Sequence, residues 1–212
     1  MSGNHETQPV STAGKSLTEA NAALVLLHGR GATAESMLPL ADAVGAEDFA
    51  VLAPQAHGYQ WYLQRFTAPK KQNEPSLSSA LKTVEKLLKQ INKAGIPTER
   101  VVIGGFSQGA CLASEFAAQH PTRYGGLLVF SGGLIGEAVS AEAYDGSLAG
   151  TPAFLGCSDV DPHIPLERVQ ETTRILEALE ADVTEKIYPG MAHTVSEDEL
   201  EQARKITASV TR

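Results

Sequence analysis

Ser107 sits in Gly105-Phe106-Ser107-Gln108-Gly109, a G-x-S-x-G pattern lying between an apolar run, Val101 to Phe106, and a stretch of helical spacing, Gln108 to Gln119. A serine at such a strand-to-helix corner is held in a tight, strained turn above a sheet, with its hydroxyl free for nucleophilic attack. Glycine at both flanks has a steric reason, since side chains at 105 and 109 would collide with the neighbouring strand and helix. The unpaired N–H groups and positive dipole end of the helix that starts at Gln108 favour negative charge developing on a bound carbonyl oxygen. The bland alternative is a serine capping an ordinary helix. The succession of strand, motif and helix favours the nucleophile.

An activated serine needs a base, and the chain has six histidines: His5, His28, His57, His120, His163 and His193. His5 in a polar tail and His120 at a helix end before Pro121 read as solvent or capping positions. His28 and His57 precede the serine, against the order serine, acid, histidine that strand-end triads on such a sheet follow. His193 follows the last predicted strand, in Tyr188-Pro189-Gly190-Met191-Ala192-His193, and is the expected base. Its orienting acid should lie at a strand end between the two. Asp159 and Asp161 both qualify, and Pro162 gives Asp161 only a slight preference by stiffening the backbone after it. The other aspartate would brace the turn.

The loop His28-Gly29-Arg30-Gly31 can bring the Arg30 N–H beside that of Gln108 as an oxyanion hole. It lacks the G-x-x-x-x-G-K-[ST] and G-x-G-x-x-G spacings, so no nucleotide is expected there. Asp159, Asp161, His163 and His193 have the right types for a metal but no recognised ligand spacing, so neither metal nor cofactor is expected. Trp61 and Tyr62 follow a strand end and either line the substrate pocket or pack into the core. Cys111, one turn into the helix after Ser107, reads as core.

Positioning these residues requires strands that alternate with helices. Ala23 to Gly29, Ala50 to Pro54, Val101 to Phe106, Gly126 to Gly132, Thr151 to Cys157 and Thr184 to Gly190 read as strands; Ala34 to Val44, Ser76 to Ala94, Gln108 to Gln119, Leu166 to Leu179 and Glu197 to Val210 read as helices. That alternation predicts an α/β fold, a mostly parallel central sheet with helices on both faces and ligands at the carboxyl ends of the strands. Residues 1–20 form a polar segment in which Pro9 to Thr12 and Lys15 to Leu17 read as an edge hairpin; residues 21–212 read as one domain.

With 42% apolar residues in 212, the chain is long enough for one sizeable core. Its net charge of -8 disfavours a nucleic-acid partner, because phosphate binding depends on clustered cations. The first residues lack the basic start and apolar core of a signal peptide, and no apolar run approaches the ~20 residues of a membrane span, so a cytoplasmic address is expected. Two cysteines, Cys111 and Cys157, lie in or beside apolar segments and read as buried thiols.

Taken together, LLHGRGA (26–32), APQA (53–56), GFSQGA (105–110), SGG (131–133), SDVDPHIP (158–165) and YPGMAHT (188–194) resemble the phospholipase/carboxylesterase family of the α/β-hydrolase fold, which includes acyl-protein thioesterases. The resemblance implies Ser107 as nucleophile, Asp161 as acid, His193 as base and the Arg30 and Gln108 amides as oxyanion donors. It implies a small-molecule acyl ester or thioester substrate, no cofactor, and allows a homodimer. Arg30 and His163 stand where the eukaryotic thioesterases commonly carry apolar residues, so a polar rim and short or water-soluble acyl groups are expected. A non-catalytic binding protein on the same scaffold, or a protein-interaction role through an exposed Trp61 loop, are the alternatives.

Overall fold

The structure is a computed structural model that describes residues 4–211. Its strands are β1 (Val10–Gly14), β2 (Ala23–Leu27), β3 (Ala50–Pro54), β4 (Val101–Phe106), β5 (Gly126–Phe130), β6 (Pro152–Ser158) and β7 (Asp182–Tyr188). They form one sheet in the order β1-β3-β2-β4-β5-β6-β7. Every neighbouring pair is parallel except β1 with β3. The helices are α1 (Leu38–Ala43), α2 (Ser76–Lys93), α3 (Gln108–Gln119), α4 (Leu166–Ala178) and α5 (Glu197–Val210).

All residues of β2, β3 and β5 are buried, the signature of parallel strands covered on both sides. Successive side chains take opposite faces. Val25, Leu27, Ile103 and Val129 pack with α2, α3 and α4, whose Val84, Phe116 and Leu176 belong to the same cluster. Leu24, Leu26, Val102 and Leu128 pack on the other face with Ala41 of α1 and Ala203 and Ile206 of α5.

Three expectations need correction. The edge position of the N-terminal segment holds, but its partner is not Lys15 to Leu17: β1 runs antiparallel to β3, with Val10 opposite Pro54 and Gly14 opposite Ala50. A sheet edge offers a full ladder of unpaired backbone groups, which a three-residue return strand does not. The helix expected over 34–44 is a 3-10 turn, Glu35–Met37, followed by the short α1, because Pro39 supplies no N–H and its ring excludes the carbonyl four residues back. His5, expected in solvent, is 2% exposed.

The strand order creates the site. β2 lies between β3 and β4, and the helices that follow β2 and β4 cover opposite faces of the sheet. The chain therefore parts at the carboxyl ends of these two neighbours, leaving a crevice where open parallel sheets receive ligands.

Candidate active site

Ser107 occupies the corner between β4 and α3 with φ 55 and ψ -117, a backbone conformation that side-chain-bearing residues rarely adopt. Two backbone bonds hold it there: its N–H donates to the Phe130 carbonyl at 2.9 Å, and its carbonyl accepts from the Cys111 N–H at 3.0 Å. Its hydroxyl does not cap α3, so the ordinary capping role is absent. The flanking glycines are sterically required. A Cβ on Gly109 would lie 2.0 Å from the Leu27 carbonyl oxygen, and one on Gly105 would lie 2.6 Å from both that oxygen and the Gly109 carbonyl carbon.

His193 and Asp161 meet across the loops that follow β7 and β6, with His193 Nδ1 2.6 Å from Asp161 Oδ2. The other carboxylate oxygen, Oδ1, accepts the backbone N–H groups of His163 at 2.8 Å and Ile164 at 3.0 Å. Burial alone would push the Asp161 carboxyl up, but the hydrogen bonds from His193 and the two amides together hold it below the ordinary carboxylate value. The His193 ring rests on Phe106, centroids 4.8 Å apart, and edge-on against His163 at 4.9 Å. Asp159 has the bracing role: its Oδ1 accepts the Gly190 N–H at 2.8 Å.

The His28 to Gly31 loop closes against the serine. A Cβ on Gly29 would stand 3.5 Å from Ser107 Cβ. No protein acceptor among the described residues takes the backbone N–H of Arg30 or of Gln108. Both residues line the same cleft as the serine. His28, 0% exposed, fixes this loop. Its Nε2 accepts the Ala56 N–H at 3.0 Å, so Nδ1 carries the proton and donates to the Gly29 carbonyl at 2.7 Å.

Ser107, Asp161 and His193 open into one cleft of about 640 Å³, which Tyr62, Phe66, Cys111 and His163 also line. Burial pushes the Cys111 thiol up to about 12, so it does not compete as a nucleophile at neutral pH. Trp61 does not line the cleft. It is 0% exposed, its indole N–H donates to the His28 carbonyl at 2.9 Å, and the expected pocket and docking roles give way to core packing.

Sequence reasoning missed the side chains that hold the 60–66 segment. The Arg30 guanidinium donates to Gln60 Oε1 and to the carbonyls of Tyr62, Leu63 and Gln64, at 2.6 to 3.0 Å. The Gln108 amide accepts the Trp61 N–H at 2.8 Å and donates to the Tyr62 carbonyl at 2.9 Å. His5 lies beneath, its Nδ1 accepting the His57 N–H and its Nε2 3.0 Å from the Trp61 carbonyl. The one available signal was His28 directly before Gly29 at a strand end, where a ring can reach back to the loop.

A mostly parallel sheet covered on both faces, with a strained serine at the head of a helix after a central strand, defines the α/β-hydrolase fold. Within that class the chain belongs to the phospholipase/carboxylesterase family, whose profile matches residues 11–211. It is 39% identical to a phospholipase/carboxylesterase from Dyadobacter fermentans DSM 18053, with a TM-score of 0.91 over 98% of both chains. It is 35% identical over 125 residues to acyl-protein thioesterase 1 of Saccharomyces cerevisiae, a match covering 58% of this chain and 55% of the yeast protein. The chain thus spans about half the length of the curated relatives it matches. A Bacillus cereus carboxylesterase shares the fold at 21% identity, with a TM-score of 0.74 over 96% of this chain and 95% of that one. No helix among the described residues is long and apolar enough to cross a membrane.

Proposed function

We propose that this protein is a serine hydrolase that cleaves carboxylic esters or thioesters through an acyl-enzyme on Ser107. The observation that carries the reading is the 2.6 Å bond between His193 and the buried Asp161 in the same cleft as the strained serine. In this mechanism His193 Nε2 takes the hydroxyl proton as Ser107 Oγ attacks the carbonyl carbon, and Asp161 stabilises the imidazolium. The oxyanion settles on the Arg30 and Gln108 amides, each such donor being worth ~3–4 kcal/mol. The imidazolium then protonates the departing alkoxide or thiolate. Water, deprotonated by His193, attacks the acyl-enzyme and releases the carboxylic acid and free serine.

Membership of the phospholipase/carboxylesterase family supports the reaction class, and the unpaired amides support acyl transfer over simple binding. The test is labelling with a fluorophosphonate followed by intact mass. A stoichiometric adduct is expected on the wild type, none on Ser107→Ala, and slowed labelling on His193→Ala. Folded wild-type protein that takes no adduct would leave a ligand-binding scaffold without catalysis.

A further inference from the structure

The cleft has a charge pattern unlike that of the molecule around it. The chain carries 25 acidic and 17 basic residues, yet among the described residues the only carboxylate lining the cleft is Asp161, whose side chain is 0% exposed and already holds His193 and two amides. Two arginines line the same cleft, Arg30 and Arg65. The Arg30 guanidinium is committed to four oxygens of the 60–64 segment. Arg65 is exposed and takes part in none of the ion pairs among the described residues.

The backbone beneath Arg65 is fixed although it belongs to no helix or strand. Asn73, 1% exposed, accepts the Gln64 N–H through Oδ1 at 2.7 Å and donates from Nδ2 to the Arg65 carbonyl at 3.2 Å. The next carbonyl, of Phe66, accepts the Gly136 N–H at 2.7 Å. An uncommitted guanidinium on a rigid wall has already lost the backbone entropy that an ordering loop would still have to lose. A protein with net charge -8 repels anions at long range, so an anionic group can be favoured in the cleft only where a local cation such as Arg65 offsets that field.

We propose that Arg65 is a specificity residue and that the preferred substrates are esters bearing a carboxylate elsewhere in the molecule. A single planar fork, with the Arg30 guanidinium committed elsewhere, suits a monoanionic carboxylate, which it can take bidentately. This rests on the serine hydrolase reading above. A charge-assisted bond of this kind corresponds to about 10- to 100-fold in kcat/KM.

The experiment compares kcat/KM for two isosteric pairs. One places the charge in the acyl group, the 4-nitrophenyl half-ester of glutaric acid against 4-nitrophenyl 5-methylhexanoate. The other places it in the alcohol, 4-carboxyphenyl butyrate against 4-carbamoylphenyl butyrate. At least one pair is expected to favour the anion by tenfold or more in the wild type, less at high salt, and equally little in Arg65→Gln, with the neutral esters within twofold between the two proteins. Arg65→Lys, which keeps the charge but not the fork, is expected to retain part of the preference. No anionic preference in either pair, or an equal fall for charged and neutral esters in Arg65→Gln, overturns the proposal. Loss of the hydrolase reading itself looks different: neither member of any pair is turned over faster by the wild type than by Ser107→Ala.

Discussion

Asp161→Asn separates the electrostatic role of this carboxylate from its structural one. In the native protein Oδ1 accepts two backbone N–H groups and Oδ2 faces His193 Nδ1. An asparagine must keep its single oxygen on the two amides, because an NH2 group there would oppose two donors. The NH2 group is thereby forced to the Oδ2 position, where it donates to His193 Nδ1. The imidazole proton moves to Nε2, so that His193 could not take the Ser107 proton as the proposed mechanism requires. A histidine in the wrong tautomer lowers kcat by ~10⁴-fold, which is about 5 kcal/mol of activation free energy. Stability should barely change, since both amide bonds survive. Asp161→Ala orphans the His163 and Ile164 N–H groups at ~1–3 kcal/mol each and should lower the melting temperature as well. Steady-state hydrolysis of 4-nitrophenyl butyrate and thermal denaturation of both variants provide the measurement. Folded Asp161→Asn with activity within tenfold of wild type would refute the tautomer argument.

Gly109→Ala places a methyl group 2.0 Å from the Leu27 carbonyl and 2.7 Å from that of His28. Both neighbours are backbone at the end of a central strand, so a loss of at least ~3 kcal/mol is expected, a fall of about 6–12 °C in Tm by calorimetry. His5 and His28 are both held below the ordinary 6.5 chiefly by burial. The unfolded chain then binds protons before the native one, so their contribution is complete above about 6.5 and is lost as pH falls, by at most ~1.4 kcal/mol per pH unit for each. Denaturation between pH 7.5 and 5 should show that slope, flattened in His5→Asn, and a melting temperature independent of pH would contradict it. Arg30→Lys removes the fork from four acceptors while leaving the backbone amide in place, so kcat/KM should fall by up to ~100-fold with faster hydrogen exchange confined to residues 60–64.

Much of this arrangement was legible because local rules decide it. The parallel core strands are continuous apolar runs, and the corner at Ser107 announces itself through glycines whose absent side chains leave room for Leu27. The loop ends of β4, β6 and β7 carry the polar residues that the sheet interior could not tolerate. Spacing alone could not divide the roles of Asp159 and Asp161, which are two residues apart. Their difference lies in partners more than 30 residues away, Gly190 for one and His193 for the other. His5 was illegible for the same reason, its bonds reaching His57 and Trp61 across more than 50 residues. Trp61 gave a type and an approximate place but no direction, since an aromatic after a strand end fits cleft and core equally.

The two walls of the cleft are built by different physics. Where β2 and β4 end, backbone lies against backbone so closely that glycine alone is accommodated, and the serine corner has no freedom to vary. The facing wall, residues 60–66, has no ladder of its own and is riveted by the side chains of Arg30, Gln108 and Asn73. Arg30 and Gln108 thus act twice, their backbone amides beside Ser107 and their side chains on the opposite wall. The distance between serine and wall is set within single residues, with no intervening flexible segment. Substitutions at 63 to 67 can alter what the cleft accepts while the serine corner keeps its geometry, whereas a change at 30 or 108 alters both at once.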